Sequence, residues 1–347
     1  MDKAETEEFA REFYSRQSIL KELGAKGQRK LSQSKVAIVG VGGLGTVSSL
    51  YLALAGVGHL VLIDQDTVEV KNLHRQILYS VDDVHYPKAE AAANRLRKLN
   101  PLIRIDPVSE NVNVSNVERL LSGANCVVDG LDNMATRYLV NRACVKLKIP
   151  YVFGAAIGLE GNLSVFVPPE TPCLECVLPN LSDSDMQRCD TRGVLGATPG
   201  IIGAMQAMET IKVLAGIGSP LKGKLMVCDF NDMYFTNIEV TKRANCTACH
   251  GEVAGSMVKE KLVWICGQDT ANINPEKPLN LNLTKVCENL EALHLDVRLR
   301  SQLALIFSYK DFEVSLFGSG RMLIKNVRNE KEALEAYKDV AKTLRLR

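Results

Sequence analysis

The 347-residue sequence predicts an α/β protein built on a doubly wound, mainly parallel sheet, followed by a small α+β domain. Three observations predict it. The apolar strand KVAIVG runs straight into glycines and then into TVSSLYLALAG, a helix with apolar periodicity. Strands and helices then alternate to about residue 155, and near residue 252 the composition shifts at GEVAGSMVKEK, a linker-like stretch of small and charged residues.

The elements run in order along the chain. Residues 5–30 read as one polar, amphipathic helix, and HLVLID, after the glycine helix, is a strand ending in Asp64 that completes a βαβ unit. YPKAEAAANRLRKL is a helix with Pro87 near its first turn, LIRIDPV a strand, VSNVERLLS a short helix and NCVVDG a strand ending at Asp129. NMATRYLVNRACVKL and IPYVFGAA continue as helix and strand. From GNLSVFVPP onward come strands and turns, a long segment of low periodicity, the buried-looking helix TPGIIGAMQAMETIKVLAG, and the antiparallel strands GKLMVCDF and MYFTNIEV. These divide the chain into a helical arm at 1–32, a main domain at 33–252 and a module at 256–347. In the last, KLVWICG, LALIFSYK, FEVSLFG and RMLIKNV read as strands, and TKVCENLEAL and NEKEALEAYKDVAKTL as helices.

Composition narrows the function. Hydrophobic residues make up 46% and charged residues 24% of the chain, as in a globular enzyme, and a formal charge of +2 gives no basis for binding nucleic acid or an anionic membrane. The amino terminus is acidic and lacks the apolar core of a signal peptide, and no run of about 18 apolar residues occurs. The expected location is the cytoplasm. In a reducing compartment, ten cysteines are expected as metal ligands, a nucleophile or core packing rather than as disulfides.

Gly40, Gly42, Gly43 and Gly45 form G-x-G-G-x-G at the end of a strand, a Rossmann-like turn that brings backbone N–H groups and a helix amino terminus up to phosphate. The glycines alone fit a nicotinamide enzyme equally well. Asp64 ends the next strand, roughly 20 residues on, where a carboxylate holds ribose hydroxyls of either nucleotide. The segment after Asp64 separates the two: DQDTVEVKNLHRQIL sets Asn72, Arg75 and Gln76 just past that strand, and Lys88 starts the next helix. Cations here suit a triphosphate leaving group, whereas hydride transfer needs an apolar nicotinamide slot; the plainer alternative is two surface cations. Asp132, in DGLDNMATR, fits a magnesium ligand or a helix cap, the latter a role also open to Asn133.

Cys173 and Cys176 in PCLEC, with Cys246 and Cys249 in NCTAC, are two C-x-x-C knuckles of the kind that close a tetrahedral thiolate zinc site without an open position. The alternatives are two separate core pairs or a redox C-x-x-C, with His250 as a substitute ligand. Cys126, Cys144 and Cys228 read as packing residues.

With GVGGLG, DQDTVEVKNLHRQ, YPKAEAA, DGLDN and the paired C-x-x-C in order, the chain resembles the superfamily of ubiquitin-activating enzymes, which includes the sulfur-carrier adenylyltransferases of the molybdopterin and thiamine pathways. The likeness spans residues 8–250 and implies that the glycines hold ATP. It makes Gly43 a phosphate contact, Asp64 the ribose anchor, Asn72, Arg75 and Lys88 a phosphate clamp, Asp132 the Mg²⁺ ligand and Asn133 a nucleotide contact. Arg16 matches an arginine that relatives insert into a partner's site, implying a homodimer, although Phe13-Tyr14 stands where relatives often carry Arg-Tyr.

The implied reaction is attack by the C-terminal Gly-Gly carboxylate of a ubiquitin-like protein on the α-phosphate of ATP, giving an acyl adenylate and pyrophosphate. Cys189, flanked by Arg188 and Arg192, lies where relatives carry an acyl-accepting cysteine. The leading expectation is therefore thioester transfer to Cys189 and on to a conjugating enzyme. The alternative is adenylylation of a sulfur carrier for molybdopterin, thiamine or tRNA thiolation, without a thioester. Residues 256–347 are too short for an appended rhodanese domain, and Cys287 sits in a helical pattern; by position and size a ubiquitin-fold module fits better.

Overall fold

A computed structural model describes residues 3–181, 193–250, 262–264, 270–275 and 277–346. The arm is three helices, α1 (Lys3–Phe13), α2 (Ser15–Ser18) and α3 (Gly24–Ser32), and not the single helix that its periodicity predicts. Gly24 enters α3 at φ +57°, a left-handed backbone that a continuing right-handed helix cannot adopt. The break turns Tyr14, Leu23 and Leu31 inward, and Asn100 Nδ2 donates to Tyr14 OH at 2.7 Å.

The main domain follows as β1 (Lys35–Val39), α4 (Gly43–Leu54), β2 (His59–Ile63), α5 (Lys88–Leu99), β3 (Arg104–Val108), α6 (Val117–Leu121), β4 (Cys126–Asp129), α7 (Met134–Leu147), β5 (Tyr151–Ile157) and β6 (Glu160–Phe166). After α8 (Leu174–Val177) come α9 (Ala197–Ala215), β7 (Lys224–Asp229) and β8 (Tyr234–Glu239). The sheet order is β3-β2-β1-β4-β5-β6-β7-β8, parallel from β3 to β5 and antiparallel beyond. The central strands are buried on both faces, which explains their unbroken apolar runs. Val36, Ile38, Leu60 and Leu62 pack toward α4, α5 and α9, whereas Ala37, Val39, Val61 and Ile63 pack toward α6 and α7. Cys126, Cys144 and Cys228 are buried in β4, α7 and β7, as packing residues.

The C-terminal module is a second, antiparallel sheet in the order β11-β12-β13-β14-β10-β9. Its strands are β9 (Leu262–Trp264), β10 (Thr270–Ile273), β11 (Val297–Arg300), β12 (Ala304–Tyr309), β13 (Phe312–Phe317) and β14 (Met322–Lys325), with helices α10 (Leu283–Ala292) and α11 (Glu330–Thr343). Cys287 is buried in α10. The linker expected at 251–261 lies outside the described residues. Among the described residues, no helix is long and apolar enough to cross a membrane.

Candidate active site

The glycine turn is built by close backbone approach. Gly40 has φ +89°, and a Cβ there would stand 2.5 Å from Gly130 O; one on Gly45 would stand 1.9 Å from Gly40 O. Side chains are therefore excluded from the junction of β1, α4 and β4. Gly42 is the N-cap of α4 and Gly43 its first residue, so the first N–H groups of α4, which have no intrahelical acceptor, open at the carboxyl end of the sheet. On the other side, a Cβ at Gly43 would meet Pro199 at 3.1 Å, in the first turn of α9.

Asp64 lies beside this turn, just past β2. Its Oδ2 accepts from Val41 N at 2.7 Å and its Oδ1 from Asp66 N at 2.8 Å. Burial pushes its carboxyl up to about 6, against the pull of Lys88. Lys88, itself buried, donates from Nζ to Asp66 Oδ2 at 2.9 Å. Burial alone would lower its pKa, but Asp66 and Asp64 outweigh it and hold the ammonium above its usual range, with a smaller contribution from Asp132. Lys88 is thus a desolvated cation at neutral pH, paired to an acid that an arriving anion can replace. Asp66 was not anticipated from sequence; its only signal was the second acid of DQD.

Asn72, Arg75 and Gln76 form the facing wall. Asn72 Oδ1 accepts from Arg75 Nη2 at 3.1 Å, and Arg75 Nη1 donates to Lys71 O at 3.1 Å. Gln76 is 3% exposed, points toward Gly42, and its Oε1 has no hydrogen-bond partner among the described residues. A buried orphan acceptor costs about 1–3 kcal/mol, so this wall is completed by a ligand or by water.

Asn133 caps α7, its Oδ1 accepting from Thr136 N at 2.9 Å, which leaves capping to Asn133 rather than to its neighbour. Asp132 is exposed, 3.3 Å from Asn133 Nδ2, with an oxygen chemistry that suits a hard divalent cation. Beneath it lies a set that sequence reasoning missed. Asp129, fully buried, pairs with Arg137 at 3.1 Å, and Tyr151 OH donates to it at 2.7 Å. Arg137 Nη2 also donates to Leu131 O at 2.6 Å, fixing the β4 end that carries Asp132. These partners are spread over three elements, so no local spacing announces them.

Arg16 is not brought into this chain's own pocket. It is exposed on α2, and the adjacent Gln17 bonds Ala55 O at the far end of α4. That helix is 12 residues long, about 18 Å at 1.5 Å per residue. Cys189, Arg188 and Arg192 lie outside the described residues.

The four knuckle cysteines come together as a cluster, their sulfurs all within 4.8 Å of one another. Cys173–Cys246 and Cys176–Cys249 are each 3.6 Å apart, and Cys173–Cys176 3.9 Å. Zn–S bonds of about 2.3 Å in a tetrahedron set sulfurs about 3.8 Å apart, so these four can hold zinc. His250 is not a fourth-ligand substitute: its Nδ1 faces Cys246 O at 2.7 Å. The cluster packs on Val145 in the last turn of α7, opposite the end that Asn133 caps, so a metal there ties segments together away from the glycine turn.

Comparisons with known proteins give the family and the fold. The model of the ThiF family matches residues 14–250. The chain is 45% identical over 238 residues to "Adenylyltransferase and sulfurtransferase MOCS3" of Culex quinquefasciatus, covering 68% of this chain and 54% of that protein. It is 43% identical over 237 residues to "SAMP-activating enzyme E1" of Haloferax volcanii, covering 68% of this chain and 87% of that one. Among solved structures, Escherichia coli MccB bound to ATP has a TM-score of 0.59 at 26% identity, over 65% of this chain and 68% of that one. The chain therefore spans about half the length of the mosquito relative.

Proposed function

The chain belongs to the ThiF family, and from that premise we propose that it adenylylates the C-terminal glycine carboxylate of a ubiquitin-like sulfur-carrier protein. The carboxylate oxygen bonds to the α-phosphorus of ATP, the bond to the bridging oxygen breaks, and pyrophosphate leaves. Two relatives support the substrate class: one is named for adenylyl and sulfur transfer, the other for activation of a protein. They favour this reading over thioester formation at Cys189 with delivery to a conjugating enzyme.

One observation carries the reading: a buried, charged Lys88 stands at the same carboxyl end of the sheet as an open glycine turn, Asp64 and the orphan acceptor of Gln76. In this proposal the α4 amides of Gly43 to Gly45 take phosphate oxygens and Asp64 accepts from the ribose. Lys88 exchanges Asp66 for the triphosphate, and Arg75 and Asn72 close over it, with Gly40, Gly42, Gln76 and Asn133 shaping the pocket. Catalysis is alignment plus stabilisation of charge moving onto pyrophosphate. Asp132 would hold Mg²⁺, which supplies charge neutralisation on the phosphates when bound. Arg16, remote from this pocket, serves the site of a second copy in a homodimer. The cysteines among the described residues are unbonded, which fits the cytoplasm.

ATP–pyrophosphate exchange with candidate carriers ending in Gly-Gly tests the reading. Exchange should depend on the carrier, and Lys88→Ala should lower it by roughly 10²- to 10³-fold. Carrier-independent exchange, or full activity in Lys88→Ala, would contradict it.

A further inference from the structure

The C-terminal module grips the turn between the two acids of the nucleotide edge. Arg321, 1% exposed, leads into β14 after Gly320 at φ +80°. Its Nη2 donates to Gln65 O at 2.8 Å and lies 3.3 Å from Ser109 Oγ, at the ends of β2 and β3. Its Nη1 donates to Asn272 Oδ1 at 3.3 Å, and Asn272 Nδ2 donates to Gln65 Oε1 at 3.0 Å. The guanidinium carbon is 3.6 Å from the centroid of Phe317, whose face fixes its plane. Gln65 is therefore held through both its backbone and its side chain by residues more than 200 positions away.

That grip matters because of what flanks Gln65. Asp64 is the proposed ribose acceptor and Asp66 the resting partner of Lys88, and the Asp66 N to Asp64 Oδ1 bond closes a tight turn across Gln65. Burying an arginine merely to join two domains is costly unless acids face it. Here Asp66, Asp64 and Glu110 do, and although burial brings Arg321 down to about 10 it stays charged at neutral pH. A second tie is separate: Glu90, two residues beyond Lys88 in α5, accepts from Gln302 N at 3.0 Å and Leu303 N at 3.1 Å.

We propose that Arg321 is a positioning residue of the nucleotide site: by holding Gln65 it sets the Asp64–Asp66 turn, and so makes the C-terminal module a working part of ATP binding. The proposal rests on the ATP reading above. It differs from a docking role in what it moves, because a mere domain clamp would change stability and leave nucleotide affinity alone.

The test is Mg-ATP binding to the full chain by calorimetry, without carrier, with exchange kinetics and thermal melting alongside. Arg321→Gln should weaken ATP binding at least tenfold and raise the ATP KM by a similar factor, with the carrier KM unchanged. Arg321→Lys, which keeps the charge, should recover part of the loss. A folded Arg321→Gln with a lowered Tm but wild-type ATP affinity would overturn the proposal. Should that variant fail to fold, Asn272→Ala decides: it removes the tie to the Gln65 side chain and one hydrogen bond that orients Arg321, keeps the Arg321 bond to Gln65 O, and should weaken ATP binding about threefold; unchanged affinity overturns the proposal. Wild-type protein that binds ATP but supports no exchange would sink the carrier reading alone, with Arg321 still judged by affinity. Wild type that binds no ATP would sink both.

Discussion

At the residue scale, the informative groups are those whose charge state the fold dictates. Asp64 is raised to about 6 by burial, so in the empty protein its proton is retained well above the pH at which an unfolded aspartate loses one. Its contribution to stability is accordingly full below about 4 and lost as pH rises through about 6. At the proposed site ATP binding runs the other way, because the ribose hydroxyls would donate to the ionised form. Affinity for ATP should fall as pH drops through 6, and Asp64→Asn should flatten that dependence; calorimetry across pH 5 to 8 checks both. An unchanged slope in the variant would assign the titration elsewhere. The placement of Asp64 and the glycines was legible in the sequence because it follows from the spacing of a βαβ turn, and that of Lys88 because YPKAEAA opens a helix; the roles given to them belong to the proposed function. Asp66 acquires its meaning only from Lys88 folding back on it, and Arg137 only from the buried Asp129 across the α7 turn.

At the element scale, the strand and helix alternation was readable because buried parallel strands are uniformly apolar and the helices between them are periodic. The arm reads as one helix in the sequence because its polarity is continuous; of its two interruptions, at Tyr14 and before α3, the second is marked by Gly24, a backbone event visible only as a left-handed φ. The pairing of α4 with α9 was not readable at all. It depends on Gly203, where a Cβ would stand 2.6 Å from Leu44 O and 2.9 Å from Val47 Cβ. Gly203→Ala should push the helices apart and cost about 1–3 kcal/mol in denaturant melts, and since α4 opens the proposed phosphate site, ATP affinity should drop with it. The cysteine knot belongs to the same scale. It joins α8 to the segment after β8, and metal analysis should find one zinc per chain. Cys246→Ser or chelation should lower Tm while ATP affinity in the folded fraction stays within about twofold, since the cluster sits at the far end of α7. A loss of ATP binding that precedes unfolding would argue against a purely structural metal.

At the scale of the whole molecule, two sheets meet at the nucleotide edge. The change of composition after the main domain was plain in the sequence, and the module's helices and most of its strands followed from periodicity. β10 and β11, TANI and VRLR, are half polar and offered no apolar run to read. The contact between the sheets was invisible because it is made by single polar residues, Asn272, Arg321 and Glu90, each unremarkable in its own segment. The Asp64–Asp66 turn, α5 and the C-terminal module are continuous through hydrogen bonds.

The central claim, activation of a carrier's terminal carboxylate as an adenylate, is tested most directly by intact-mass analysis after incubating the chain with ATP, Mg²⁺ and a Gly-Gly carrier. The expected result is a carrier bearing one AMP, formed equally by wild type and Cys189→Ala. Absence of the AMP adduct, or a thiol-sensitive chain–carrier adduct that vanishes in Cys189→Ala and without which no activated carrier forms, would contradict it.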